Sequence, residues 1–129
     1  MIKSEQQKNR TLKMLNEYNE KLKTLDGVQK DSLLSLIGSL EQELKEYKEL
    51  KQGKYFLPQN ISFVELLECI PKVRISKGLS QQDLANLLGM SKQQINRYEE
   101  HNYQNVSITV VNEIFEALNL SLSLLKKVA

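Results

Sequence analysis

The fold turns on Arg74-Ile-Ser-Lys-Gly-Leu-Ser-Gln-Gln-Asp-Leu-Ala-Asn-Leu-Leu-Gly-Met-Ser-Lys-Gln-Gln-Ile-Asn-Arg-Tyr-Glu99. Ser80 stands ahead of an apolar set, Leu84, Ala85, Leu87 and Leu88, with Asp83 three residues after it. In that pattern a hydroxyl and a carboxylate satisfy the free N–H groups of a first helical turn. Gly89 stops the helix after barely two turns, since glycine accepts the left-handed conformation that closes it. Ser91 opens a second helix through Ile95 and Tyr98, with Gln94 in the place Asp83 holds in the first. Leu84, Leu88, Ile95 and Tyr98 have the spacing of a buried wedge between the two helices, and Ala85 is small where they would cross. Two short capped helices joined at a glycine turn, with no alternating strand pattern elsewhere, predict an all-α chain.

Outside that wedge, helix 92–100 keeps Lys92, Gln93, Asn96 and Arg97, and it carries no acid before Glu99. A merely solvated helix face is more often rich in Glu and Lys. The four outer side chains include Gln and Arg, the types that make paired contacts to adenine and guanine, and a helix has the diameter to enter the major groove. Charge points the same way. From Lys72 to Arg97 there are five bases (Lys72, Arg74, Lys77, Lys92, Arg97) against Asp83, a local +4 in a chain whose total is only +2. Such a balance suits a small, placed DNA-facing surface and not a coat of positive field.

The same stretch closely resembles the Xre/Cro–cI family of helix-turn-helix DNA-binding domains, through the pattern R-x3-G-L-S-Q-x-x-L-A-x-x-L-G-x-S-x-x-x-I-x-R-Y-E. By element order the resemblance extends over residues 61–125. It implies a lambda-repressor-like, five-helix DNA-binding domain. It places Lys92, Gln93 and Arg97 on base-reading positions with Asn96 adjacent, and Gln81, Ser91, Ser107 and Thr109 on phosphate-contact positions. Arg74 and Glu99 match an ion pair that ties the first helix to the end of the recognition helix. The implied partner is double-stranded DNA, an inverted-repeat operator bound by a homodimer.

Working outward, Ser62 or Asn60 opens a helix through Phe63, Leu66, Leu67 and Ile70, which Pro71 is expected to kink or restart and Gly78 to end. Ser107 opens another, using Val110, Val111, Ile114, Phe115 and Leu118 and closing at Asn119, and Ser121 caps a last short one to Lys127. Residues 61–129 thus form the DNA-binding domain, and 53–60, with Gly53 and Pro58, read as a linker. Residues 1–52 read as an antiparallel helical hairpin. One helix lines Leu15, Tyr18, Leu22 and Leu25 along a face, and the other lines Leu33, Ile37, Leu40, Leu44 and Tyr47. Asp26 with Gln29 resembles a capping box between them, Gly38 suggests a close helix approach, and the polar residues 1–10 are expected to fray. Two amphipathic helices bury only a thin core, so this hairpin is expected to dimerise or to bind a protein partner.

The 129-residue chain is 40% hydrophobic and 26% charged, with three Phe, five Tyr and no Trp, so its core is mainly aliphatic. A single Cys (Cys69) and a single His (His101) exclude an internal disulfide and argue against a metal site or a His-based nucleophile pair. Cys69 reads as a small core residue, His101 as a loop residue, and Tyr55 and Tyr103 as packing residues. Five glycines form no phosphate-cradling loop, and no signal segment or membrane span is read. The expectation is a cytoplasmic, non-enzymatic protein without cofactor. Its expected role is sequence-specific transcription regulation, as a repressor that reads the major groove with helix 92–100. The alternative is an antitoxin whose hairpin binds a toxin while the helix-turn-helix regulates its own operon.

Overall fold

The structure, a computed structural model, describes residues 1–122, and among these every regular element is a helix. They are α1 (Glu5–Leu22), α2 (Gly27–Lys51), α3 (Phe63–Ser76), α4 (Gln81–Leu88), α5 (Lys92–Glu100) and α6 (Ile108–Ala117). The chain divides into two compact units, Met1–Phe56 and Leu57–Ala129. The short helix expected from Ser121 to Lys127 lies outside the described residues.

In the first unit α1 packs on α2, antiparallel, because Glu5 at the start of α1 meets Tyr47 and Lys51 at the end of α2. Leu15, Tyr18, Leu22 and Leu25 are half-buried along the seam, and Ile37, Tyr47 and Leu50 are buried from the other side. The N-terminus does not fray as expected. Ile2 is buried, and the Ser4 hydroxyl accepts from the Gln7 N–H to start the helix. The Met1 amino group lies 3.3 Å from Glu43, and the Tyr47 hydroxyl donates to Glu5 at 2.9 Å. That hydrogen bond is the main reason the Glu5 carboxyl titrates below the usual carboxylate range.

Two further expectations for the hairpin are corrected. Asp26 holds the N-cap position of α2 but makes no side-chain cap bond, and Gly27 enters the helix at φ +63°. The left-handed entry is open to glycine without a Cβ penalty. At Gly38 an added Cβ would meet nothing within 4 Å, so no helix approaches it closely in this chain.

In the second unit, Ser62 and not Asn60 caps α3, its hydroxyl accepting from the Glu65 N–H, while Asn60 sits in the loop at φ 59°. Pro71 does not restart the helix, and α3 runs on through it. Its missing N–H leaves the Leu67 carbonyl without its helical partner, yet Leu66, Leu67, Ile70, Val73 and Ile75 are all buried around it. Packing on both sides of the proline outweighs the lost bond. α4 packs on α5 and α6, and α3 meets α5, so the wedge of Leu84, Ala85 and Ile95 closes over Ile114 and Leu118, all fully buried. Asn119 ends α6 at φ 54°, the left-handed closure expected of it.

Candidate nucleic-acid interface

The site is built from caps and one turn. At α4 the Ser80 hydroxyl accepts from the Asp83 N–H at 3.0 Å while the Ser80 N–H donates to the Asp83 carboxylate at 2.9 Å. The backbone N–H at Ser80 is the leading reason the Asp83 carboxyl titrates below its ordinary value. Gly89 turns the chain at φ +65°, and the Met90 N–H returns to the Ala85 carbonyl at 2.9 Å. Ser91 then caps α5 through its hydroxyl, which accepts from the Gln94 N–H at 3.2 Å. Among the described residues the Gln94 side chain gives no return bond, so the second expected box is half of one.

This frame decides which side chains of α5 face out. Ile95 is fully buried against α4 and Tyr98 is half-buried, so Lys92, Gln93 and Arg97 stand exposed together on the opposite side. Ser91, Ser107 and Thr109 are exposed as well. Ser107 caps α6, its hydroxyl accepting from the Val110 N–H at 3.3 Å. The N-termini of α5 and α6 carry the positive ends of their dipoles, with backbone N–H groups directed outward.

Beneath α5 lies a polar network. Arg74 and Glu99 are 1% and 0% exposed and pair twice: Nε and Nη2 of the guanidinium each reach a carboxylate oxygen at 2.9 Å. A third N–H, on Nη1, donates to the Leu79 carbonyl at 2.8 Å. The pair joins α3 to the last turn of α5. Arg74 is therefore spent inside the fold and adds nothing to the outward charge.

Gln81 and Asn96 depart from the exposed set. Gln81 is 4% exposed, and its Nε2 donates to Glu99 Oε1 at 2.7 Å and to Asn96 Oδ1 at 3.3 Å. Asn96 is half-buried, and its Nδ2 donates to Glu100 Oε1 at 3.2 Å.

Tyr103 was legible only as a packing residue, and its polar end is the part that reasoning from sequence missed. It is fully buried in the left-handed region at φ 57°, with its hydroxyl 3.5 Å from Glu99 Oε2. Burial first, and the Glu99 charge second, push its phenol far above the ordinary value. No periodicity or cap announces a left-handed tyrosine, which its own packing holds in place.

Among the described residues no group of three His, Cys, Asp or Glu is placed to hold a metal, and no helix is long and apolar enough to cross a membrane. Cys69 is half-buried and His101 is an exposed C-cap.

Residues 72–125 match the helix-turn-helix family. No curated protein and no solved structure matches the chain.

Proposed function

With residues 72–125 a helix-turn-helix domain of the kind found in DNA-binding transcription regulators, we propose that this chain reads a specific operator as a homodimer and acts as a repressor. The observation that carries the reading is the exposed trio Lys92, Gln93 and Arg97, held on one side of α5 while Ile95 and Glu99 anchor the other. In this reading α5 enters the major groove, Gln93 and Arg97 contact base edges, and Lys92 reaches a base or the adjoining phosphate. Ser91, Ser107 and Thr109 lie against the backbone, where the α5 and α6 N-termini favour an anion. A dimer requires an inverted repeat with half-sites about 10 bp, or a multiple of it, apart.

The test is selection of bound fragments from sheared host DNA at about 150 mM salt, where weak charge-driven binding is suppressed. An inverted repeat recovered by the wild-type chain and lost in a Gln93→Ala/Arg97→Ala double variant is the expected result. Identical recovery by both proteins removes the recognition-helix reading.

A second reading draws on the hairpin. Between α1 and α2 an open groove of about 510 Å³ is lined by Tyr18, Lys21, Leu25, Val28, Leu33 and Leu36, and Val28 is 81% exposed. Exposed apolar surface of this kind suits a protein partner, as an antitoxin's would be. In that case a toxic neighbouring gene product is neutralised by the wild-type chain and not by a Val28→Asp/Leu36→Asp variant. DNA selection by the two chains stays the same.

A further inference from the structure

We propose that Asn96 is a specificity-determining residue whose amide is locked to present only a donor, so that it selects guanine over adenine at the base it faces. The proposal rests on reading α5 as the recognition helix, and it reassigns Gln81 from a phosphate contact to a positioning residue.

The argument starts at the buried charge pair. Glu99, bonded twice to Arg74, is a carboxylate and can only accept. Gln81 must therefore aim its NH2 at Glu99, where the 2.7 Å distance leaves no room for its carbonyl to face another acceptor. The second hydrogen of that NH2 goes to Asn96 at 3.3 Å, which forces the Asn96 carbonyl inward. At the far end Glu100 is again an acceptor, and it takes a hydrogen of the Asn96 NH2 at 3.2 Å. Two carboxylates, one at each end of the chain of bonds, thus impose the same amide orientation. The side-chain amide of Gln81 has no N–H left for a phosphate, which itself only accepts. One N–H of Asn96 goes to Glu100, which leaves the second for a base, while the carbonyl is turned towards nearly buried Gln81.

That geometry has a consequence for base choice. The paired contact of an Asn to adenine needs a donor for N7 and an acceptor for the N6 amino group, both in the groove. Asn96 supplies only the first. Guanine offers two adjacent acceptors, N7 and O6, to the one N–H, whereas adenine leaves its amino group facing nothing and cytosine presents a donor.

The test is selection from randomised duplex DNA with the full chain, scored base by base. The wild-type half-site is expected to hold one position with guanine over adenine that Asn96→Ala flattens. Gln81→Met releases the Asn96 carbonyl and is expected to move that position towards adenine by about tenfold, the scale of a paired contact, with the Gln93 and Arg97 positions unchanged. Glu100→Ala leaves the Gln81 bond in place and is expected to keep guanine. Adenine preferred by the wild-type chain, an Asn96→Ala motif identical to wild type, or no shift in folded Gln81→Met overturns the proposal. If Gln81→Met fails to fold, Asn96→Asp carries the test: with acceptors only, it is expected to favour cytosine there, and retained guanine overturns the proposal. A wild-type chain that selects no motif at all, or whose motif survives Gln93→Ala/Arg97→Ala, overturns the recognition-helix reading itself. A motif lost in that double variant while the Asn96 position stays indifferent sinks this inference alone.

Discussion

The hairpin and the C-terminal unit use similar residues and bury them to different degrees. In the hairpin, two helices share a seam whose leucines stay half-wet at the turn end, with Val28 almost fully solvated. Its tightest part is the opposite end, where Ile2, Tyr47 and Leu50 close around the chain's start. In the C-terminal unit, Ile70, Leu84, Ile95, Ile114 and Leu118 are fully buried, and the enclosure is complete enough to dry an arginine and a glutamate. Two cylinders touch along a line, whereas four enclose a volume. A charge pair needs such a volume around it before its hydrogen bonds can dictate geometry. The polar orientation proposed for Asn96 is available to the second unit and not to the first.

The sharpest way to break this contrast is to strand a charge. Glu99→Leu leaves Arg74 buried without its carboxylate and is expected to cost about 3–5 kcal/mol in urea unfolding, with Arg74→Met/Glu99→Leu recovering much of it. A cost below about 1 kcal/mol means water already reaches the pair. Next in size is one change made in both units. Leu84→Ala is expected to cost about 2–4 kcal/mol and Leu22→Ala about half as much or less, because half-buried Leu22 gives up less area and leaves a gap that water can enter. Equal losses would mean that the hairpin is covered in solution.

Smaller effects separate the helix starts. Ser80→Ala is expected to cost about 1 kcal/mol and Asp26→Ala only a few tenths, since Ser80 makes a side-chain cap bond and Asp26 makes none. The Asp83 half of the box carries a pH signature. Its carboxyl is held below the ordinary 3.8, so its stabilisation is complete above that value and is lost as pH falls through the folded one. Asp83→Ala and wild type should therefore converge in acid unfolding.

Tyr103→Phe is expected to cost about 1 kcal/mol at neutral pH, the scale of one hydrogen bond. Its sharper readout is alkaline. The folded phenol keeps its proton beyond the ordinary 10.0 at which the unfolded chain releases it, so wild-type stability falls as pH climbs past 10.0. The Phe variant should lack that component of the fall. Opposite in sign is Gly38→Ala, expected to raise the hairpin's stability by about 0.5–1 kcal/mol because the new methyl meets nothing. A loss there would reveal a partner helix at that face.

The caps at Ser80, Ser91 and Ser107, the turn at Gly89 and the left-handed Asn119 were all legible, because each acts within four residues of itself. Buried Ile95 and Leu84 were legible from helical spacing, and the Arg74–Glu99 contact from a family resemblance. The rest depended on groups far apart in the chain. Residues 1–10 look like a fraying end until Tyr47 is brought to Glu5 and Glu43 to Met1 across the hairpin. Pro71 looks like a place for the helix to restart until the burial around it is known. Gln81, exposed by its place at a helix start, turns inward because Glu99 and Asn96 wait there with acceptors.

By itself, then, the sequence determined that this chain is helical, where most helices start, and which residues of α5 lie opposite its apolar side. Periodicity and capping are local, and a few residues suffice to specify them. Which donors and acceptors on that outward side remain open for a base was decided only by the tertiary structure. A hydrogen-bonding group has a fixed number of partners, and the fold assigns some of them before any ligand arrives.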